Sequence, residues 1–257
     1  MIYNQEQGYQ RNHVIVQGRE KALEEFLNSS TVIKEKRVKH KLEYSYSSNS
    51  EDALTWSCFD TLRNYKPENL ADALNEILED AFENKKPFDF RNEINIRIEI
   101  GKEYIAPTLT KEKTEIDTSI ETDDKLIFIE AKLYSLISLP SLIQPHNQIA
   151  NKLRIGLDYA HSINKQFYFI FLDVAPLEKL LLRKPKAEAE ENNHDYADKW
   201  KSAWWFNYYR NNKSLTPLKD ILKEITKDEE ELNQVRQNMG WLTWASLFKT
   251  VLRAVIK

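Results

Sequence analysis

Between Lys113 and Leu133 the chain reads KTEIDTSIETDDKLIFIEAKL, two apolar-patterned runs around a central Asp123-Asp124. A two-residue loop there pairs Thr122 with Lys125. Counting back along both strands then sets Asp117 opposite Glu130 and Glu115 opposite Lys132. A four-residue loop on the same centre keeps those pairs, whereas an odd-length loop or a bulge would shift them. Directly opposed residues have Cβ atoms about 4.5–5.5 Å apart. Two carboxylates at that separation repel each other, and together they can hold one divalent cation. Period 2 puts Lys132 on the same face as Glu130. A lysine beside an ion can orient a water or stabilise charge developing on a phosphate. Oxygen ligands favour Mg²⁺ or Mn²⁺ over zinc. The reaction these groups suit is metal-assisted hydrolysis of a phosphodiester. The bland alternative is an exposed hairpin with incidental charges.

The elements needed to position these groups are legible around them. Residues 19–28 read as a short helix and 32–46 as extended chain. Asn49 and Ser50 cap a helix opening at Glu51, with Ala53, Leu54, Trp56, Phe59 and Leu62 as its apolar stripe. Pro67 opens the next helix, which runs to about Phe82. EINIRIEI (93–100) alternates, as does TEIDTSIE (114–121), with Ile116 and Ile120 expected on one face. KLIFIEAKL (125–133) and QFYFIFLDV (166–174) are apolar on both faces, as strands buried on both sides are. Pro145 to His161 reads as a helix between them. Residues 183–199 read as a polar, solvated connection. Beyond it, helices are expected near 196–211, 215–226 and 240–255, with a short one at 228–237, and Gly240-Trp241 as a turn into the last. This order means α/β or α+β: a mixed sheet packed by helices.

With Asp117, twelve intervening residues and then Glu130-Ala131-Lys132, the chain resembles the PD-(D/E)xK nuclease superfamily, over about 50–175. The resemblance implies a restriction-endonuclease-like fold, a mixed central sheet flanked by helices. It divides the chain into a nuclease core with N-terminal helices (1–175) and a C-terminal helical extension (176–257), either a separate unit or part of the same domain. It implies that Asp117, Glu130 and the Ala131 carbonyl bind Mg²⁺ or Mn²⁺, with Glu51 completing the site from its helix. Lys132 would position the attacking water. Gln148 is the matching polar residue on the helix that follows; Lys152 stands where many members carry Tyr, and Ile116 precedes Asp117 in place of Pro. The implied substrate is DNA, with RNA left open. A small nuclease of this kind needs control by a regulatory partner, self-association or sequence specificity, and prokaryotic defence against foreign DNA fits, as does repair. The contrasting reading is a catalytically silent nuclease-fold subunit that binds nucleic acid or scaffolds a complex.

Composition narrows the field further. The chain has 257 residues, a formal charge of −3, and 41% hydrophobic against 30% charged residues. That supports a sizeable core and excludes a globally basic nucleic-acid binder. One cysteine, Cys58, excludes a disulfide framework and a cysteine-rich zinc module, and it reads as a core residue. The five glycines are scattered, so no phosphate loop is present, and the five histidines show no metal spacing. Residues 1–18 lack an apolar signal core, and the longest apolar run, 167–175, is interrupted by Asp173, so a cytoplasmic protein without a membrane segment is expected. Lys34 to Lys41 carries a net +4 without His40, a candidate strip for tracking phosphates or a lysine-protected edge. Trp200, Trp204 and Tyr208 recur every four residues, a pattern that suits core packing or an interface better than base stacking.

Overall fold

A computed structural model describes residues 21, 22, 25, 31–34, 37–40, 51–108, 111–133, 135–142, 145–182, 199–211 and 213–256. Of 31–34, 37–40, Pro67 and Glu68 only the backbone is described. Strands β1 (Thr31–Lys34) and β2 (Arg37–His40) form an antiparallel hairpin. The side chains of the basic strip, the bulk of the 19–28 helix, the 183–198 connection, His13 and His194 lie outside the described residues.

The main body is a five-stranded mixed sheet between two layers of helices. Helices α1 (Glu51–Arg63) and α2 (Pro67–Ala81) precede it. Then come β3 (Arg97–Ile105), β4 (Lys113–Glu121) and β5 (Lys125–Ala131), all antiparallel neighbours. Helix α3 (Gln148–Ser162) crosses over to β6 (Gln166–Asp173), which lies parallel to β5. After α4 (Leu177–Leu181), α5 (Lys199–Arg210), α6 (Thr216–Leu222) and α7 (Glu229–Gln237), strand β7 (Met239–Thr243) adds parallel to β6. Helix α8 (Trp244–Ile256) ends the fold. The order across the sheet is β3-β4-β5-β6-β7. Both β5 and β6 are buried almost throughout, as their continuous apolar runs require.

Alternate side chains of the sheet feed two cores. Ile127, Ile129, Ile170, Leu172 and Leu242 pack with α1, α2 and α8. Leu126, Phe128, Phe169, Phe171 and Trp241 pack with α3, α5, α6 and α7. Helix α1 is buried along its whole middle, from Ala53 to Leu62. Its hydroxyls are satisfied locally: Thr55 donates to the Glu51 carbonyl, Ser57 to Leu54 and Thr61 to Ser57. Cys58 sits in this core, and burial pushes its thiol up to about 12.

Three elements differ from the sequence expectation. The run expected at 93–100 becomes a strand only from Arg97, because Asn95 takes a left-handed φ of 57° and ends the extended stretch. The 176–257 extension is not purely helical: the start of the helix expected over 240–255, with its Gly240-Trp241 turn, is instead the edge strand β7 (Met239–Thr243). Finally, Ile116 and Ile120 do not share a face, since Ile116 joins the α3-side core and Ile120 the α1-side core. The partner strand switches with it, Ile98 facing one core and Tyr104 the other. The switch centres on Gly101, whose φ of 66° is open to glycine at little cost. Pairing continues on both sides, Ile100 with Thr118 and Lys102 with Ile116, so Gly101 lies level with Asp117.

Candidate metal and phosphodiester site

The hairpin register follows the spacing. The turn closes with Thr122 N–H donating to the Lys125 carbonyl at 3.0 Å. Pairing then runs from Glu121–Leu126 to Thr118–Ile129. Asp117 and Glu130 are the next positions, just past the end of the ladder. Released from the ladder at the face switch, Asp117 turns its carboxylate onto β5 and accepts the Ala131 N–H at 2.7 Å. Glu130 projects to the α3 side and is 1% exposed.

Glu130 is the hub. Its Oε1 lies 2.9 Å from Lys132 Nζ and accepts from Gln148 Nε2 at 2.5 Å. Its Oε2 faces Lys152 Nζ at 3.2 Å but accepts no well-aligned hydrogen bond. Lys132 Nζ also donates to Glu51 Oε1 at 3.2 Å and to the Ala131 carbonyl at 2.8 Å. Glu51 reaches across from the first turn of α1. Its Oε2 accepts the Leu133 N–H at 2.6 Å and the Ser135 hydroxyl at 2.7 Å. The structure thus gathers Asp117, Glu130, Lys132, Glu51 and Gln148 at one end of the sheet, at the C-terminal end of β5.

Electrostatics follow from this crowding. Burial, and then the charge of Glu130, push the Asp117 carboxyl up to about 7. Burial pushes Glu130 up as well, but Lys132 and Lys152 outweigh it and leave the carboxyl below its ordinary range. Burial works against the Lys132 charge, yet Glu130, Glu51 and Asp117 hold its ammonium well above the usual lysine value.

Several neighbours hold the site in place. Asn147 caps α3 by accepting the Ala150 N–H at 2.9 Å, and its amide donates to Tyr209 of α5 at 2.9 Å. Gln148 and Ser138 exchange two hydrogen bonds, N–H to carbonyl at 3.0 Å and Ser138 N–H to the Gln148 amide oxygen at 3.1 Å. Trp244 Nε1 donates to the Lys132 carbonyl at 3.3 Å, tying α8 to the strand end. At the same end of β6, buried Asp173 pairs with Lys199 of α5 at 3.2 Å. Burial raises this carboxyl to about 6, the Lys199 charge opposing, with Glu51 adding to the rise.

The sequence reading left Lys152 outside the site. Its signal was its position, one turn after Gln148 on the same helix face. Asp173 and Lys199 carried no signal, being brought together across a long connection.

The donor set can be tested against a divalent cation. Among the described residues no cluster of three or more His, Cys, Asp or Glu side chains is arranged to hold a metal. Mg²⁺, however, takes one or two carboxylates and fills its shell with water and phosphate oxygens. Asp117 and Glu130, with a raised Asp117 and an unbonded Glu130 Oε2, fit that demand. Glu51 is engaged with Leu133, Ser135 and Lys132, so it reaches the site through Lys132.

The other singled-out groups lie elsewhere. Among the aromatics of α5, Phe206 and Tyr209 are core, while Trp204, 38% exposed, stacks on Tyr208 with centroids 5.0 Å apart. His161 pairs with Glu231. A groove lined by Arg63, Tyr65, Arg91 and Glu93 lies towards the β4–β5 turn, away from the site, and Asp60 and Asp72 pair its two arginines. Among the described residues no helix is long and apolar enough to cross a membrane.

Comparison with protein-family models, curated proteins and solved structures finds no significant match to this chain.

Proposed function

We propose that the chain is a metal-dependent nuclease with a restriction-endonuclease-like core, hydrolysing phosphodiester bonds of DNA. The observation that carries the reading is the convergence of Asp117, Glu130 and Lys132 where the C-terminal end of β5 meets the middle of β4, one step past the pairing of Thr118 with Ile129. Asp117 and Glu130 would hold Mg²⁺ or Mn²⁺, with the Ala131 carbonyl beside them. The ion, when bound, supplies an activated water and neutralises charge on the scissile phosphate. Lys132 would keep an ammonium facing the developing negative charge, and releasing one of its three acceptors, Glu130, Glu51 or the Ala131 carbonyl, would free an N–H to orient the water. Glu51 and Gln148 hold Lys132 and Glu130 in place, which makes them positioning residues. DNA as the substrate follows from the habit of the resembled superfamily, and the Lys34–Lys41 strip would supply phosphate contacts. The proposed setting is defence against foreign DNA, under control by self-association or a partner.

One observation favours a second reading, a catalytically silent subunit of the same fold. Glu130 is already matched by Lys132, Lys152 and Gln148, as a purely structural ion network would be. Cleavage decides between them. Supercoiled plasmid and single-stranded DNA are incubated with Mg²⁺ or Mn²⁺ and wild type, Asp117→Ala or Lys132→Ala. The nuclease reading expects metal-dependent cutting that drops at least about a hundredfold in either variant. Metal-dependent heat stabilisation without cutting would favour the silent subunit. Neither cutting nor metal stabilisation would sink the nuclease reading.

A further inference from the structure

Lys152 belongs to none of the roles above, yet it is 4% exposed and points at the hub of the site. It comes from α3 and faces the Glu130 oxygen that Lys132 does not. Its ammonium lies 3.2 Å from Glu130 Oε2, donates to Thr114 Oγ1 at 2.7 Å and donates to the Glu115 carbonyl. The two oxygens of Glu130 are held unequally. Oε1 has Lys132 at 2.9 Å and a short Gln148 amide bond, while Oε2 has only the longer, poorly aligned approach of Lys152. Lys152 also keeps two neutral acceptors on β4 that do not depend on Glu130. It can therefore give up Oε2 without becoming an unsatisfied buried donor. Lys132 also keeps other acceptors, the Glu51 carboxylate and the Ala131 carbonyl, but it holds Oε1 more closely, at 2.9 Å, so Oε2 is the oxygen more readily freed.

We infer that Lys152 is a built-in counter-ion for Glu130, standing on Oε2 until a divalent cation displaces it. The inference rests on the metal-binding reading of Asp117 and Glu130. The five charged groups here are three carboxylates and two ammoniums. Two carboxylates so close could not both stay ionised in a buried site without compensation, and Lys152 supplies part of it. The same charge then opposes the incoming cation. Lys152 thus sets the metal affinity of the site: it keeps the metal-free protein folded and makes binding weaker than the carboxylates alone would allow. After displacement the ammonium stays tethered to β4 beside the site, where it adds positive charge near a bound phosphate.

The test titrates the full-length chain with Mn²⁺, followed by electron paramagnetic resonance, and with Mg²⁺ by calorimetry. Lys152→Gln removes the charge and keeps a donor for Thr114 and Glu115. It should bind metal about tenfold tighter or more, since a positive charge a few ångströms from a divalent ion is lost. Its melting temperature in EDTA should fall below wild type, and saturating metal should close that gap. Lys152→Arg should bind with near wild-type affinity. Thr114→Val removes one of the alternative acceptors, so Lys152 leans harder on Glu130 and metal binding should weaken two- to threefold. A merely structural Lys152 would not give shifts of opposite sign in these two variants, and Thr114→Val carries the test alone should Lys152→Gln fail to fold. Equal affinity in all the variants overturns the counter-ion role while leaving the nuclease reading intact. Absence of metal binding in wild type and Lys152→Gln overturns both. The expected affinity shifts without DNA cleavage in any protein would support the counter-ion and sink the nuclease reading alone.

Discussion

Glu51 shows how much of the site is held by single carboxylate oxygens. One oxygen faces Lys132; the other accepts the Leu133 N–H and the Ser135 hydroxyl, fixing the chain as it leaves β5. Removing the side chain leaves the Leu133 N–H without its acceptor in a part-buried position. An orphaned donor of that kind costs about 1–3 kcal/mol. Glu51→Ala should therefore lower the stability from urea denaturation by about that much. Glu51→Gln keeps a carbonyl oxygen for Leu133 and Ser135 and should lose less than half as much. Equal losses would mean that the charge towards Lys132, not the loop anchor, is what the residue contributes. In the sequence Glu51 reads as the acidic first turn of a helix, a position the helix dipole already favours, and the family resemblance adds a place in the metal site; neither reading supplies its partners. Its actual partners lie more than 80 positions away along the chain, beyond the reach of any local pattern. The Asp117/Glu130/Lys132 trio was legible because one tight turn fixes all three.

At the scale of elements, what brings α3 close enough for Gln148 and Lys152 to reach Glu130 is a close approach at Gly156. A Cβ there would stand 2.2 Å from the Phe167 ring and 3.0 Å from Phe128. That ring cannot step aside easily, because Phe167 is buried edge-on against Phe128 with centroids 5.4 Å apart. In an exposed helix Gly→Ala would gain about 1 kcal/mol of propensity. Here overpacking costs about 1–3 kcal/mol and pushes the helix off the sheet. Gly156→Ala should thus be destabilising by about 1–2 kcal/mol in chemical denaturation, and the displaced α3 should lengthen the Gln148–Glu130 contact. A neutral or stabilising outcome would mean that the aromatic layer yields more readily than its packing indicates. The same packing explains which elements are legible in the sequence. β5, β6 and α3 declare themselves by runs of apolar residues and a clear helical stripe. The face switch in β4 does not, since it depends on Gly101 in a neighbouring strand taking a conformation that alternation cannot encode. β7 is five residues long and carries a glycine; only the open edge of β6 makes it a strand, an instance of tertiary context overriding weak local preference.

For the whole molecule, the question is whether residues 176–257 are an appendage or part of the fold. Strand β7 completes the sheet beside β6, and α8 packs on α1 and α2. On the other side Phe206, Leu218, Ile221, Leu232 and Trp241 share a core with Phe128, Leu153 and Phe171. Two of the ties reach the site end of the sheet: Trp244 to the Lys132 carbonyl, and Lys199 to Asp173. Cutting the chain after Ala175 would bare one edge of β6 and much of both cores, and leave Asp173 buried without its cation. Each exposed large side chain forfeits about 1.5–3 kcal/mol of burial, so a handful exceeds the 5–15 kcal/mol that holds a typical domain together. A fragment of residues 1–175 should therefore show no cooperative thermal transition by circular dichroism and a collapsed amide spectrum by NMR, whereas the full chain melts in a single step. A cooperative melt with dispersed amide resonances from that fragment would establish the division at 175 as a true domain boundary. It would also mean that the site needs neither α5 nor α8 to hold its shape, contrary to the contacts both helices make with the ends of β5 and β6.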